Sequence, residues 1–154
     1  MLTIRILVVD DFEPFRRFVS STLLKNPHWH IVCEVSDGQE AVQKADALQP
    51  ELILLDIGLP TLDGIEAARR IRTLAPQSKI LFVSQESSTD VVQEAFRSGA
   101  SGYVVKARAG SELVAAVEAV LQGEQFVSRG LFAVRAVESI AGLKIGDTGR
   151  RQSK

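Results

Sequence analysis

A chain of 154 residues with 45% hydrophobic and 24% charged residues can bury a core without disulfides or structural metals. Its single cysteine, Cys33, excludes an intramolecular disulfide, and a formal net charge of -1 excludes whole-molecule attraction to nucleic acid. No charged-then-apolar leader opens the sequence and no apolar run is long enough to span a bilayer, so the expectation is a soluble cytoplasmic protein without a membrane partner.

Apolar runs alternate with segments of helical periodicity, the pattern of a parallel sheet with crossover helices. The first run, Ile4 to Val9, ends on Asp10-Asp11. Phe15, Phe18, Val19, Thr22 and Leu23 then recur at helical spacing after Pro14, a residue suited to a first helical turn. His30 to Val35 reads as the second strand and contains Cys33, expected as a small buried residue rather than a reactive thiol. His28 and His30 flank Trp29 and read as surface residues at the start of that strand, not as metal ligands. Asp37 is a candidate cap for a helix from near Gly38, with Ala41, Val42, Ala45 and Leu48 inward and a stop before Pro50. The third run, Leu52 to Leu55, ends on Asp56, and Asp63 is the candidate cap of a helix running towards Thr73. Ile80 to Val83 is followed by Ser84, then by a helix capped by Ser88 that ends at Gly99. Gly102 to Val105 is followed by Lys106, then by a helix capped by Ser111, with Leu113, Val117, Val120 and Leu121 inward and Gly123 as its stop.

Five strands alternating with five helices predict a three-layer α/β sandwich with right-handed crossovers, a flavodoxin-like doubly wound parallel sheet of order 2-1-3-4-5. In that order the topology reverses between the first and third strands, so the crevice outside their carboxyl ends is the expected ligand site. Asp10, Asp11 and Asp56 belong to those two strand ends. Three carboxylates at close range either take up protons or bind a metal, and an oxygen-only site favours Mg2+. Ser84 and Lys106 at the ends of the next two strands complete a set suited to phosphoryl transfer to a carboxylate. Asp56, alone on its strand, is the expected nucleophile, with the adjacent pair as metal ligands.

Asp10-Asp11, Leu55 to Gly64, Ser84 and Gly102-Tyr103-Val104-Val105-Lys106 together resemble the receiver domains of two-component response regulators, over roughly the first four fifths of the chain. Singly, each residue has a plainer reading as a helix cap, loop hydroxyl, surface charge or core aromatic; the matches in order and spacing outweigh those readings. The resemblance implies transfer of a phosphoryl group to Asp56 from a sensor histidine kinase, a phosphotransfer protein or a small phosphodonor. It also implies Mg2+ held by Asp11, Asp56 and the main-chain carbonyl of Gly58, with Asp10 acting through water. Ser84 and Tyr103 are the implied switch, Ser84 turning to the phosphoryl group and Tyr103 swinging inward. The implied output surface is roughly Ser88 to Arg97 and Ser111 to Leu121, and the implied class is a phospho-accepting signalling domain, not an enzyme proper.

Two departures stand out. Ala107 follows Lys106 where the family often has proline, a feature similar to receivers that precede helix-turn-helix effectors. Gln85 and Glu86 follow Ser84 where a small residue is usual, and are expected to slow loss of the phosphoryl group. The receiver is expected at residues 1–126 and a C-terminal extension at 127–154, with a short helix over Leu131 to Ile140 and a flexible basic end from Gly142. No second helix with a turn follows, so no nucleic-acid reader is expected within this chain. The extension reads as a linker to an effector outside this chain, an adaptor peptide or a tail, and a homodimer is left open. The alternatives are the receiver portion of a DNA-binding transcription regulator, an aspartyl-phosphate phosphatase, which normally has a second acid two residues beyond its nucleophile, and a flavin carrier, whose phosphate Asp10-Asp11-Phe12-Glu13 would repel.

Overall fold

The computed structural model describes residues 3–131. Strand alternation, with period two, decides the layers. In β1 (Ile4–Val9), Leu7 and Val9 face one buried cluster while Ile6 and Val8 face another. The same split runs through β3 (Leu52–Leu55), with Ile53 and Leu55 against Leu52 and Leu54, and through β4 (Lys79–Ser84), with Ile80 and Phe82 against Leu81 and Val83. These central strands are buried on both faces, which is why they read as continuous apolar runs.

One face is covered by α1 (Glu13–Leu23) and α5 (Ala109–Leu121), whose Val19, Leu23, Leu113, Ala116, Val117 and Val120 enter the cluster shared with Ile6 and Val8. The other is covered by α2 (Gly38–Leu48), α3 (Gly64–Leu74) and α4 (Thr89–Arg97), whose Ala41, Ala45, Ala68, Ile71, Val92 and Phe96 enter the cluster shared with Leu7 and Val9. The expected caps hold at α2, α3 and α4: Asp37, Asp63 and Ser88 accept from the main-chain N–H of Glu40, Glu66 and Val91 at 2.7, 2.9 and 3.3 Å. On α1, Phe18 is more exposed than its periodic position implied, lying on the flank of the helix against the Phe15 ring.

The sheet order is β2-β1-β3-β4-β5-β6, with β2 (Trp29–Val35), β5 (Gly102–Val105) and a short β6 (Phe126–Val127). Every pairing is parallel. The sheet is therefore the expected doubly wound one, extended by a two-residue sixth strand that periodicity cannot register. The β1–β2 register shifts at Ile6/Leu7, so that Leu7 faces Cys33 and Val32 is left exposed. On this edge strand Cys33 is half-buried rather than fully in the core, and Trp29 is buried between a half-buried His28 and an exposed His30.

The last helix departs from expectation at its start. Lys106–Arg108 form a 3-10 turn that runs directly into α5, so no extended residue precedes Ser111 and it cannot serve as a cap. Ser111 instead lies in the first turn and donates to the Arg108 carbonyl at 3.2 Å. Packing continues past residue 126: Ser128 and Leu131 are both buried. The helix expected over the remainder of Leu131 to Ile140, and the flexible end expected from Gly142, lie outside the described residues.

Candidate functional site

Register places the acids. Val9 pairs with Leu55, and the chains continue in step as Asp10 N–H donates to Val35 O and Asp56 N–H to Val9 O, each at 3.1 Å. Asp10 and Asp56 thus stand side by side at the carboxyl ends of β1 and β3, where the topology reverses. With Asp11 they form a group in which one carboxylate oxygen from each residue lies within 4.8 Å of the others. Asp10 and Asp56 are buried while Asp11 is exposed.

One cation meets the clustered carboxylates and a second braces the main chain beneath them. Lys106 Nζ lies 2.9 Å from Asp10 Oδ2 and 3.1 Å from Asp56 Oδ2, and its side chain is only 11% exposed. Arg16, in the second turn of α1, donates from Nη1 to the Asp10 carbonyl at 2.7 Å and from Nε to Glu34 at 3.1 Å, tying the main chain at Asp10 to β2. The remaining carboxylate oxygens meet backbone: Asp10 Oδ1 accepts from Phe12 N–H at 2.8 Å and Asp56 Oδ1 from Ile57 N–H at 2.7 Å.

Protonation follows these contacts. Burial pushes the Asp10 carboxyl above its ordinary value, the repulsion of Asp56 adds to it, and Lys106 and the Phe12 N–H oppose without cancelling it. Burial alone would lower the Lys106 ammonium, but Asp10 and Asp56 outweigh it and hold it above its usual value. Burial pushes Tyr103 up to about 12, against the pull of Ser84.

A cavity of about 320 Å³ opens over the acids, lined by Asp11, Phe12, Asp56, Gly58, Ser84, Gln85, Glu86 and Lys106. Eight of the nine residues singled out from the sequence therefore meet at one place: the three acids, Lys106, Ser84 at the end of β4, and the loop residues Gly58, Gln85 and Glu86. Tyr103 is set apart. It is wholly buried, already inward, and its hydroxyl donates to the Glu86 carbonyl at 2.8 Å. Ser84 Oγ accepts from the Glu86 N–H at 3.1 Å, so the N–H and the carbonyl of one residue tie both switch candidates to the loop before α4.

The donor set fits a hard divalent cation: carboxylate oxygens from two strand ends, one of them exposed, and an open cavity beside them. Asp10, Asp11 and Asp56 are the residues able to hold it, with the Gly58 main chain at the cavity wall. A Cβ at Gly58 would meet nothing within 4 Å, so glycine is not sterically required there. It is required at Gly64, where a Cβ would stand 1.9 Å from the Asp56 carbonyl oxygen. The start of α3 is thus pressed against the main chain of the strand-end acid.

Sequence reading missed the supporting residues. Arg16 lies off the apolar stripe of the first helix, and Gly64 enters only as the last residue of the Leu55 to Gly64 match. Glu112 and Ser128 passed unnoticed: Glu112 is a buried carboxylate that accepts from Ser128 Oγ, from Arg129 N–H at 3.1 Å and from Arg108 Nε at 3.1 Å. Ser128 Oγ in turn accepts from the Val105 N–H at 2.9 Å, next to Lys106. An acid amid the apolar periodicity of the last helix was the available signal.

The reversal of strand order, with acids from both flanking strands and a lysine bridging two of them, defines a receiver-type signalling fold. The chain belongs to the response regulator receiver domain family, whose sequence profile matches residues 6–118. It is 33% identical over 124 residues to the transcriptional regulatory protein DegU of Brevibacillus brevis, covering 80% of this chain and 52% of that one. It is 34% identical over 123 residues to the response regulator protein VraR of Staphylococcus aureus, covering 80% and 59%. The crystal structure of a LuxR-family two-component response regulator from Aurantimonas sp. SI85-9A1 superposes with a TM-score of 0.82 at 33% identity, covering 90% of this chain and 99% of that one. The chain spans about half the length of the curated relatives it matches. No helix among the described residues is long and apolar enough to cross a membrane.

Proposed function

We propose that this domain accepts a phosphoryl group on Asp56 from a histidine kinase, a phosphotransfer protein or a small phosphodonor, and that the change at Asp56 alters its output surface. The observation that carries the reading is the Lys106 ammonium bridging Asp10 and Asp56 beneath an open cavity, with Asp11 beside them. An Asp56 carboxylate oxygen forms the new bond to phosphorus while the donor's bond breaks and its leaving group keeps the electron pair. Mg2+, when bound, supplies neutralisation of phosphoryl-oxygen charge. Asp11, Asp56 and the Gly58 carbonyl would hold it, with Asp10 acting through water as the family resemblance implies. Lys106 offsets a further part of the developing charge.

The switch begins at Ser84. Its hydroxyl, which accepts from the Glu86 N–H, turns to donate to a phosphoryl oxygen, and the carbonyl of that same residue is where Tyr103 is anchored. The output is then a population shift in the loop before α4, felt along α4, β5 and α5. Gln85 and Glu86 stand over the cavity and slow loss of the phosphoryl group; an unchanged adduct lifetime in Gln85→Ala would remove that role.

The test is intact-mass analysis after incubation with acetyl phosphate and Mg2+. Wild type gains one phosphoryl group and Asp56→Asn gains none; an adduct that survives Asp56→Asn would place the acceptor elsewhere. Asp11→Ala weakens Mg2+ binding and labelling together, and equal Mg2+ affinity would show that Asp11 is not a ligand. The second reading, a receiver that controls a DNA-binding effector in a cytoplasmic regulator, is favoured by the printed name of the transcriptional regulatory protein DegU and by the span of the match, which covers 52% of DegU and 59% of VraR.

A further inference from the structure

Lys106 is contained on three sides. Two are the carboxylates of Asp10 and Asp56, and the third is the face of Phe15, whose ring centroid lies 4.6 Å from Nζ. An ammonium over an aromatic face is drawn by the ring quadrupole, and more strongly where water is excluded, as it largely is around this lysine. The ring is set by its surroundings: Phe15 is half-buried against the cluster beneath α1 and tilted at 41° to the Phe18 ring 5.5 Å away, three residues on along the helix.

The two carboxylates have competing duties. In the reading of Asp56 as acceptor, on which this inference rests, its oxygens go to phosphorus and to the cation, and Asp10 turns to the water shell. Both partners that hold Lys106 by charge are then drawn away during the transfer. The Phe15 ring, packed on Phe18 and the cluster beneath α1, ligates neither phosphorus nor the cation and keeps its place. We propose that Phe15 is a positioning residue that keeps the Lys106 ammonium at the cavity while Asp10 and Asp56 are engaged in the reaction. An aliphatic side chain at this position would fill the space but leave the ammonium free to move out to solvent, where it offsets less of the developing charge.

The experiment must separate the ring's electronics from its packing. Mono-, di- and trifluorinated phenylalanines introduced at position 15 keep the ring's shape nearly constant while draining its face of negative potential. The measured quantity is the maximal rate of Asp56 labelling by acetyl phosphate at saturating Mg2+, with Mg2+ affinity from titration calorimetry. The rate falls stepwise along the series by about two- to thirtyfold in total, the span that cation–π energies of this kind imply. Phe15→Leu falls at least as far, while Mg2+ affinity stays within about twofold because the ring touches no ligand oxygen. A flat rate across the fluorinated series overturns the proposal, even if Phe15→Leu lowers the unfolding midpoint. Failure of wild type to label at all overturns the reading of Asp56 instead, so the two failures are distinguishable.

Discussion

Replacing Lys106 with methionine isolates the electrostatic balance of the site. The variant keeps the stem's volume and removes the ammonium that lies 2.9 and 3.1 Å from two carboxylate oxygens. At an effective dielectric near 20 each contact is worth about 5–6 kcal/mol in gross attraction, most of which is offset by desolvation of the ammonium. Its removal leaves two buried carboxylates facing one another, and losing one partner of such a group costs roughly 3–5 kcal/mol. Proton uptake limits the loss, because Asp10 is already pushed above its ordinary 3.8 by burial and rises further without the lysine. A net destabilisation of about 3 kcal/mol at neutral pH follows. The sign with pH is fixed. A carboxyl whose folded pKa lies above its unfolded value stabilises fully below the unfolded pKa, and that contribution is lost as pH rises through the folded one. The deficit of Lys106→Met is therefore small in acid and grows with pH through the raised Asp10 range. Urea unfolding of both proteins across that range, with and without Mg2+, measures it, and added Mg2+ raises the variant's midpoint more than wild type's. Equal midpoints at every pH, or a deficit that shrinks as pH rises, would refute the argument.

Glu112→Gln reports on the buried contacts behind β6. Burial alone would raise the Glu112 carboxyl, but Ser128, the Arg129 N–H and Arg108 outweigh it and hold it below its usual 4.5. Because the folded pKa is depressed, the stabilisation is present above the unfolded value and lost as pH falls through the folded one. Two charge-assisted bonds weakened to neutral ones, with little added for the half-exposed Arg108 pair, give a loss of about 2 kcal/mol at neutral pH that vanishes in acid; a pH-independent loss in urea unfolding would contradict it. Gly64→Ala drives a Cβ into the Asp56 carbonyl and costs about 2–3 kcal/mol, with labelling at Asp56 reduced beyond the loss of folded protein; labelling that merely tracks the folded fraction by circular dichroism would show that the loop yields elsewhere. Thr61 holds a φ of 72° in the loop before α3, a strained position for a β-branched residue. Thr61→Asn raises stability by about 0.5–1 kcal/mol, read as a higher urea midpoint at unchanged slope.

The fold was legible because β1, β3 and β4 are buried on both faces and the helices between them on one, so that apolar runs and helical stripes alternate without ambiguity. The acids were legible because they stand directly at the ends of those runs, where one residue's place in the chain is also its place in the crevice. Other features follow a different logic. β6 is two residues long and joins the sheet through the β5 edge and Ser128, leaving no period to detect. Ser111 was a plausible cap by identity, but the 3-10 turn before it satisfies that end of the helix by backbone alone. Arg16 and Phe15 look like ordinary members of α1. Their reach to the Asp10 carbonyl and to the Lys106 ammonium depends on how α1 is seated against the strand ends, which is tertiary information.

The site's internal conflict explains its construction. An apolar pair would pack at these strand ends without the penalty of burying charge. Lys106 relieves part of the acids' repulsion from within the chain, and the contacts that hold it run on beyond the site. Lys106 begins the turn that leads into α5, and the Val105 N–H before it is held by Ser128, which Glu112 of the same helix holds in turn. A shift in the balance among Asp10, Asp56 and Lys106 is therefore placed to act, through Lys106, on the turn that leads into α5. Ser84 and Tyr103 meet separately at Glu86 before α4, on the wall of the same cavity, so a ligand that fills the cavity would meet both routes at once.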